Sequence, residues 1–169
     1  MANNKHTETN EIEEKIEEIN LEQKVTLHNI AGWAVGFKRI DGDGDVMIPP
    51  EGTVRLTRSE IIAQVQSGNR LLSGIDSRGS HATVYTDDIP TRVEMDFDIP
   101  EEKITQNILT KDAVKKLFEY KTMKSFEDNL RSLVVTRAEK YAIIQMIKKE
   151  KFNDFEKIRA VENYTGFKM

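Results

Sequence analysis

Thr136-Arg-Ala-Glu139-Lys-Tyr141-Ala142-Ile143-Ile144-Gln-Met146-Ile147 is the stretch on which the reading of the fold turns. Thr136 with Glu139 three positions on is a capping box, in which each side chain takes up a free amide at a helix start. Behind it, Tyr141, Ala142, Ile143, Ile144, Met146 and Ile147 spread apolar surface around more of the helix than one exposed face would need. Such a helix has to be enclosed. The pattern therefore places it at the centre of a helical module.

Working outward, the rest of residues 101–169 supplies the enclosure. Thr110 caps a helix bearing Ala113, Val114, Leu117 and Phe118, and Met123, Phe126, Leu130 and Val134 mark a second. After the central helix, Asn153-Asp-Phe-Glu156 caps a fourth that carries Phe155, Ile158, Val161 and Tyr164 as its apolar stripe and stops at Gly166. The links are short, which favours a compact bundle of about four antiparallel helices. The helical period is expected to run from Pro100 to the end.

Residues 24–100 have a different period. Val25 and Leu27 alternate with polar neighbours, as do Trp33, Val35 and Phe37, then Val46 and Ile48, then Val54 and Leu56. Asp41-Gly-Asp-Gly-Asp45 reads as a tight turn and Pro49-Pro50 as a stop. Thr57-Arg-Ser-Glu60 opens one helix with Ile61, Ile62 and Val65, ended at Gly68. Gly74–Ser80 reads as a polar loop, Thr83–Thr86 as a strand, Asp87–Pro90 as a turn, and Val93, Met95 and Phe97 as a further alternating strand. Five or six short strands with one helix predict a small antiparallel sheet or open barrel. Trp33 and Phe37 are expected in its core.

Residues 1–23 hold seven Glu against Lys5 and Lys15, a balance of -5, whereas residues 24–100 carry -3 and residues 101–169 carry +4. Asn10 and Glu13 have capping-box spacing, and Ile12, Ile16 and Ile19 then form a narrow apolar seam among glutamates. Two readings stand side by side: a short acidic docking helix that needs a partner, or an acidic tail with scattered isoleucines. The fold class expected is thus α+β: a short acidic N-terminal helix, a β-rich module and a helical module.

The chain has 169 residues, no cysteine, 38% hydrophobic and 32% charged residues. The missing cysteines exclude disulfides, thiolate catalysis, iron–sulfur clusters and thiolate zinc sites. No apolar run approaches the ~20 residues of a membrane span, and the first fifteen residues have no apolar core of a secretory signal. A soluble chain from a reducing compartment is expected.

Candidate chemistry is sparse. Asp41, Asp43, Asp45 and Glu51 invite a calcium loop, but an EF-hand needs Gly at the sixth position and Glu at the twelfth, where Val46 and Gly52 stand, so a hairpin turn is favoured. Gly74–His81 has a phosphate-loop outline but lacks the Gly-Lys-Ser/Thr ending, which makes it an exposed loop. His6, His28 and His81 lie in unrelated contexts. Ser80, His81 and Asp87 or Asp88 can be assembled on paper into a triad with no oxyanion hole, and a polar loop-to-strand junction is the favoured role for His81. No catalytic, cofactor-binding or metal-ligating residue is assigned, and an enzyme is not expected. Lys111, Lys115, Lys116, Lys148, Lys149, Lys151, Lys157 and Arg159 could face a phosphate backbone, but interspersed carboxylates favour a solvated mixed-charge surface.

Gly32-Trp-Ala-Val-Gly-Phe37, Ile48-Pro-Pro-Glu-Gly52, Ser59-Glu-Ile-Ile62, Gly79-Ser-His-Ala-Thr-Val-Tyr85, Ala138-Glu-Lys-Tyr-Ala-Ile143 and Glu162-Asn-Tyr-Thr-Gly166 resemble small accessory proteins of tailed bacteriophages. The resemblance covers most of the chain beyond the acidic tail and carries no catalytic signature. It implies a virion-associated component of head, neck or tail, assembled in the host cytoplasm. The expectation is a non-enzymatic structural or docking protein, a homo-oligomer whose partners are other virion proteins, with Ile12, Ile16 and Ile19 as docking contacts. The alternative is a small regulatory protein that binds nucleic acid or a host protein through its helical module, with Lys148, Lys149 and Lys151 in contact.

Overall fold

The computed structural model describes residues 18–169 and is α+β, with small antiparallel sheets and about seven helices. Strand β1 (Lys24–Asn29) sits between β4 (Thr53–Thr57) and β5 (Val84–Tyr85), antiparallel to both, with Leu27 opposite Val54 and His28 opposite Tyr85. Strands β2 (Val35–Lys38) and β3 (Asp45–Ile48) form a separate hairpin. The β-rich region is therefore two small sheets rather than one sheet or an open barrel. The Asp41–Asp45 segment is the hairpin turn, and Gly42 and Gly44 supply its positive φ of 125° and 94°.

Period-two alternation buries Val25 and Leu27 from β1 as the sequence predicts. The third inward position is Asn29. Its side-chain amide donates to the carbonyls of Trp33 and Pro49 at 2.9 Å, and its oxygen accepts from Ala31 N–H at 2.9 Å. One buried polar side chain thus closes two connections at once. Trp33 lies just before β2, and both Trp33 and Phe37 are only partly buried, at the edge of the core.

Helix α1 (Arg58–Gln66) starts at the predicted Thr57 cap. Glu60 does not complete the capping box. Its carboxylate accepts instead from Ile40 N–H at 2.9 Å, Asp41 N–H at 2.7 Å and the Gln64 amide at 2.7 Å, which fastens the hairpin arm to the helix. A short helix, α2 (Arg70–Ser73), follows and has no apolar stripe to announce it.

No strand forms at Val93, Met95 and Phe97: Val93 lies in a helix, α3 (Ile89–Glu94), and Met95 and Phe97 in the turn that follows it. Asp88 caps the helix by accepting from Thr91 N–H at 3.1 Å, and Pro90 occupies its first turn, where a missing N–H costs nothing. These start signals outweigh a three-residue alternation, which leaves Val93 exposed. Nor is the period helical directly after Pro100. A 3-10 turn (Pro100–Glu102) and a bridge between Ile99 and Ile104 lead into irregular chain up to Thr110.

The predicted bundle is present as α4 (Lys111–Phe118), α5 (Met123–Leu133), α6 (Arg137–Glu150) and α7 (Phe155–Thr165). Helices α4 and α7 both pack on α6, and α5 closes the ring by packing on the same two. Thr110 and Thr136 are caps as read, and the cap of α7 is Asp154 rather than Asn153. The core is Val114, Leu117, Phe126, Leu130, Ile143, Ile144, Ile147 and Val161, all nearly inaccessible to solvent. Ile30 from the β-rich region packs against it, so α6 serves both halves. That explains the width of its apolar surface.

Among the described residues no helix is long and apolar enough to cross a membrane. The predicted N-terminal helix, with Ile12 and Ile16, lies outside the described residues. Ile19 is described: it is half-buried in a non-helical segment, so the seam does not reach it as helix. The following turn is tied to the start of α1 by Ser59 N–H to Leu21 O and Arg58 N–H to Gln23 O, each at 3.0 Å.

Candidate functional site

The seam between the two halves is built around α6. A Cβ at Gly32 would collide with the Tyr141 ring, so glycine is what lets the chain before β2 lie flat on the helix. Trp33 meets Tyr141 edge-on at 6.3 Å, and the Arg137 guanidinium lies 5.0 Å over the Trp33 ring. Glu51, held at a positive φ of 52°, accepts from Tyr141 Oη and Lys149 Nζ, both at 3.3 Å. The nearby Glu51 charge adds to burial in pushing the Tyr141 hydroxyl above its ordinary range.

His81 is the least expected member of this seam. It is buried, and its Nδ1 donates to Glu139 Oε1 at 2.7 Å. The other oxygen of Glu139 accepts from Val135 N–H at 2.7 Å and Thr136 N–H at 3.0 Å. The capping box of α6 is therefore also the anchor for a loop 58 residues away in sequence. His81 stands at the loop-to-strand junction before β5, as the sequence suggests, but it is not free in water there. No triad forms either, since His28 Nε2 faces Asp87 at 3.2 Å and Asp88 is gripped by Arg58 at 2.9 Å. Burial raises the Asp88 carboxyl, but bonds from Arg58 and Thr91 outweigh it and hold the group below its ordinary value.

A cleft of about 190 Å³ opens along the seam, lined by His28, Glu51, Tyr85, Lys111, Gln145 and Lys149 among others. The His28 ring stacks on Tyr85 at 5.1 Å. Burial, reinforced by Asp87, raises the Tyr85 hydroxyl. The charged groups on its rim are already engaged: Lys111 with Glu150 at 3.0 Å, Lys149 with Glu51 and His28 with Asp87. The charges around the cleft are thus satisfied from within.

The other sequence candidates are dispersed in the same way. In the loop after α2, Asp76 Oδ1 accepts from the backbone N–H of Arg78 at 2.8 Å and Ser80 at 3.1 Å. Burial raises this carboxyl, yet the Ser80 and backbone donors win and lower it. An internal carboxylate thus occupies the amides that a phosphate loop would offer an external anion. Asp41 is held by the Ser59 hydroxyl and Glu51 by the seam, and among the described residues no group of three or more His, Asp or Glu is placed to hold a metal ion. Lys148 and Lys149 lie in the last turn of α6 and Lys151 just beyond it. Lys149 is paired, while Lys148 and Lys151 have no ion pair among the described residues.

One surface feature departs from the sequence pattern. Phe155, assigned to the apolar stripe of α7, is 84% exposed. Its stripe is spaced 3-3-3, and each step of three turns the side chain by about 60° around the axis, so Phe155 and Tyr164 point to opposite sides. Phe152, Ile158 and Met169 stand beside it around a hollow of about 600 Å³, rimmed by Glu156, Arg159 and Glu162. Comparison with protein-family models, with curated proteins and with solved structures finds no match.

Proposed function

We propose that this chain is a non-enzymatic virion-associated structural or docking protein of a tailed bacteriophage, self-associating and acting through protein–protein contacts. The observation that supports this reading is the exposed aromatic face of α7. A large apolar side chain left in water beside an apolar hollow is the pattern of a contact surface, because association is what removes such area from solvent. The resemblance of residues 32–37, 79–85 and 138–143 to phage accessory proteins gives that contact its setting, in a particle assembled in the host cytoplasm.

Mass spectrometry of purified particles tests the proposal. The chain is expected at stoichiometric abundance in the virion, and Phe155→Asp is expected to reduce its incorporation. Abundance in infected-cell lysate with absence from particles would overturn the structural role. Salt-sensitive DNA binding that is lost on charge reversal at Lys148 and Lys151 would favour the regulatory reading instead.

A further inference from the structure

Phe155, Arg159 and Glu162 share one face of α7, since positions i, i+4 and i+7 align on a helix. On that face a projecting ring and a hollow stand side by side. An interface between two identical copies about a twofold axis presents the same patch from both sides, so it needs projection and hollow on one surface. This patch has both.

The charges make the same point independently. Glu162 is engaged by Lys168 at 3.7 Å and by Met169 N–H at 2.8 Å, and Asp154 by Lys157 at 3.3 Å. Glu156 and Arg159, by contrast, have no ion pair among the described residues and are both exposed. One free carboxylate and one free guanidinium sit three residues apart on one rim. A foreign partner would need the mirrored pattern, whereas a second copy supplies it by symmetry. Arginine beside an exposed aromatic is also the composition that dominates binding energy at interface centres.

We infer that α7 is a self-association face on which two copies of this chain pair about a twofold axis. Phe155 of each copy enters the hollow of the other, and Arg159 of each faces Glu156 of the other, giving two equivalent ion pairs. This inference rests on the reading of the chain as a contact protein and names the partner of its exposed face: another copy of itself. It places self-association on α7 rather than on the acidic N-terminal seam.

Sedimentation or light scattering of the full chain at about 100 μM should give twice the 19.4 kDa chain mass. Phe155→Asp should yield a monomer with unchanged circular dichroism. Glu156→Arg and Arg159→Glu should each weaken pairing by about tenfold or more, and the double swap should restore it, which a merely misfolded variant could not do. A monomeric wild-type chain at that concentration overturns the inference. So does a dimer that survives Phe155→Asp, which would place the contact elsewhere, for instance on residues 1–17. A monomer whose particle incorporation still depends on Phe155 would sink the pairing, and self-association with it, and keep the virion-docking role. A dimer absent from particles would do the reverse.

Discussion

The two halves of this molecule are held together by different physics. The four-helix half buries Val114, Leu117, Phe126, Leu130, Ile143, Ile144, Ile147 and Val161, and its buried polar residues are Gln106, Glu139 and Thr165. The half built on the sheets also has an apolar cluster, around Leu27, Ile48, Leu56 and Ile61. Around it, however, it buries Asn29, Arg58, Glu60, Gln64, Ser73, Thr86, Thr91 and Asp98. Small sheets with short strands enclose little apolar volume, so their connections are fixed by hydrogen bonds instead. The contrast places the stability of one half mainly in apolar volume and much of the other's in polar connections.

The sharpest way to break that contrast is Phe126→Ala in the helical core. Phe126 is fully buried, meets Phe118 edge-on at 5.4 Å and lies under Lys157. The expected loss is about 4 kcal/mol, read as a lower urea midpoint at unchanged slope. A loss below about 1 kcal/mol would mean that the bundle repacks freely and does not depend on this apolar volume.

Next comes Glu139→Ala, which removes the buried carboxylate that joins the halves through His81. It removes the acceptor for His81 and for two backbone amides at the start of α6, with an expected cost of about 3 kcal/mol. Because Trp33 is the single tryptophan and lies on the seam, its emission should shift to the red in this variant. Unchanged Trp33 emission would show that the aromatic contacts hold the seam without the carboxylate.

The smallest effect, about 2 kcal/mol at neutral pH, is expected for Asp88→Asn, which weakens the grip on Arg58 and the cap of α3. It also carries a pH signature. The folded Asp88 carboxyl is held below its unfolded value, so its contribution is present above the unfolded value and fades as pH falls through the folded one. Wild type and Asp88→Asn should therefore differ most at neutral pH and converge in acid. A constant difference down to the acid limit would remove Asp88 from the account.

How much was legible follows the same division. The helices of residues 111–165 were readable because caps and apolar stripes are set by neighbours three and four positions apart: Thr110, Thr136 and Gly166 needed no distant partner. The same spacing does not bury Phe155, because successive steps of three rotate the side chain away from the face that Val161 and Tyr164 turn to the bundle. In the β-rich half, alternation found β1, β2, β3 and β4, the Thr83–Thr86 reading found β5, and Gly and Asp marked the Asp41–Asp45 turn, but alternation also turned Val93, Met95 and Phe97 into a strand. Asp88 and Pro90 were the signal for a helix there. Of the seam, only the Thr136–Glu139 capping box was readable, and its hold on His81 was not.

By itself the sequence determined the class of the fold, the run of helices from Lys111 to Thr165 and the absence of thiol chemistry, since composition and short-range periodicity decide these through contacts within a few residues of chain. Tertiary structure alone decided where each polar side chain finds its partner. His81 and Glu139, Glu60 and Ile40, Glu51 and Lys149 are brought together by the packing of whole elements, and no pattern along the chain encodes distances across it. Which aromatic ring is left facing water was settled the same way, by how α7 is rotated against the bundle.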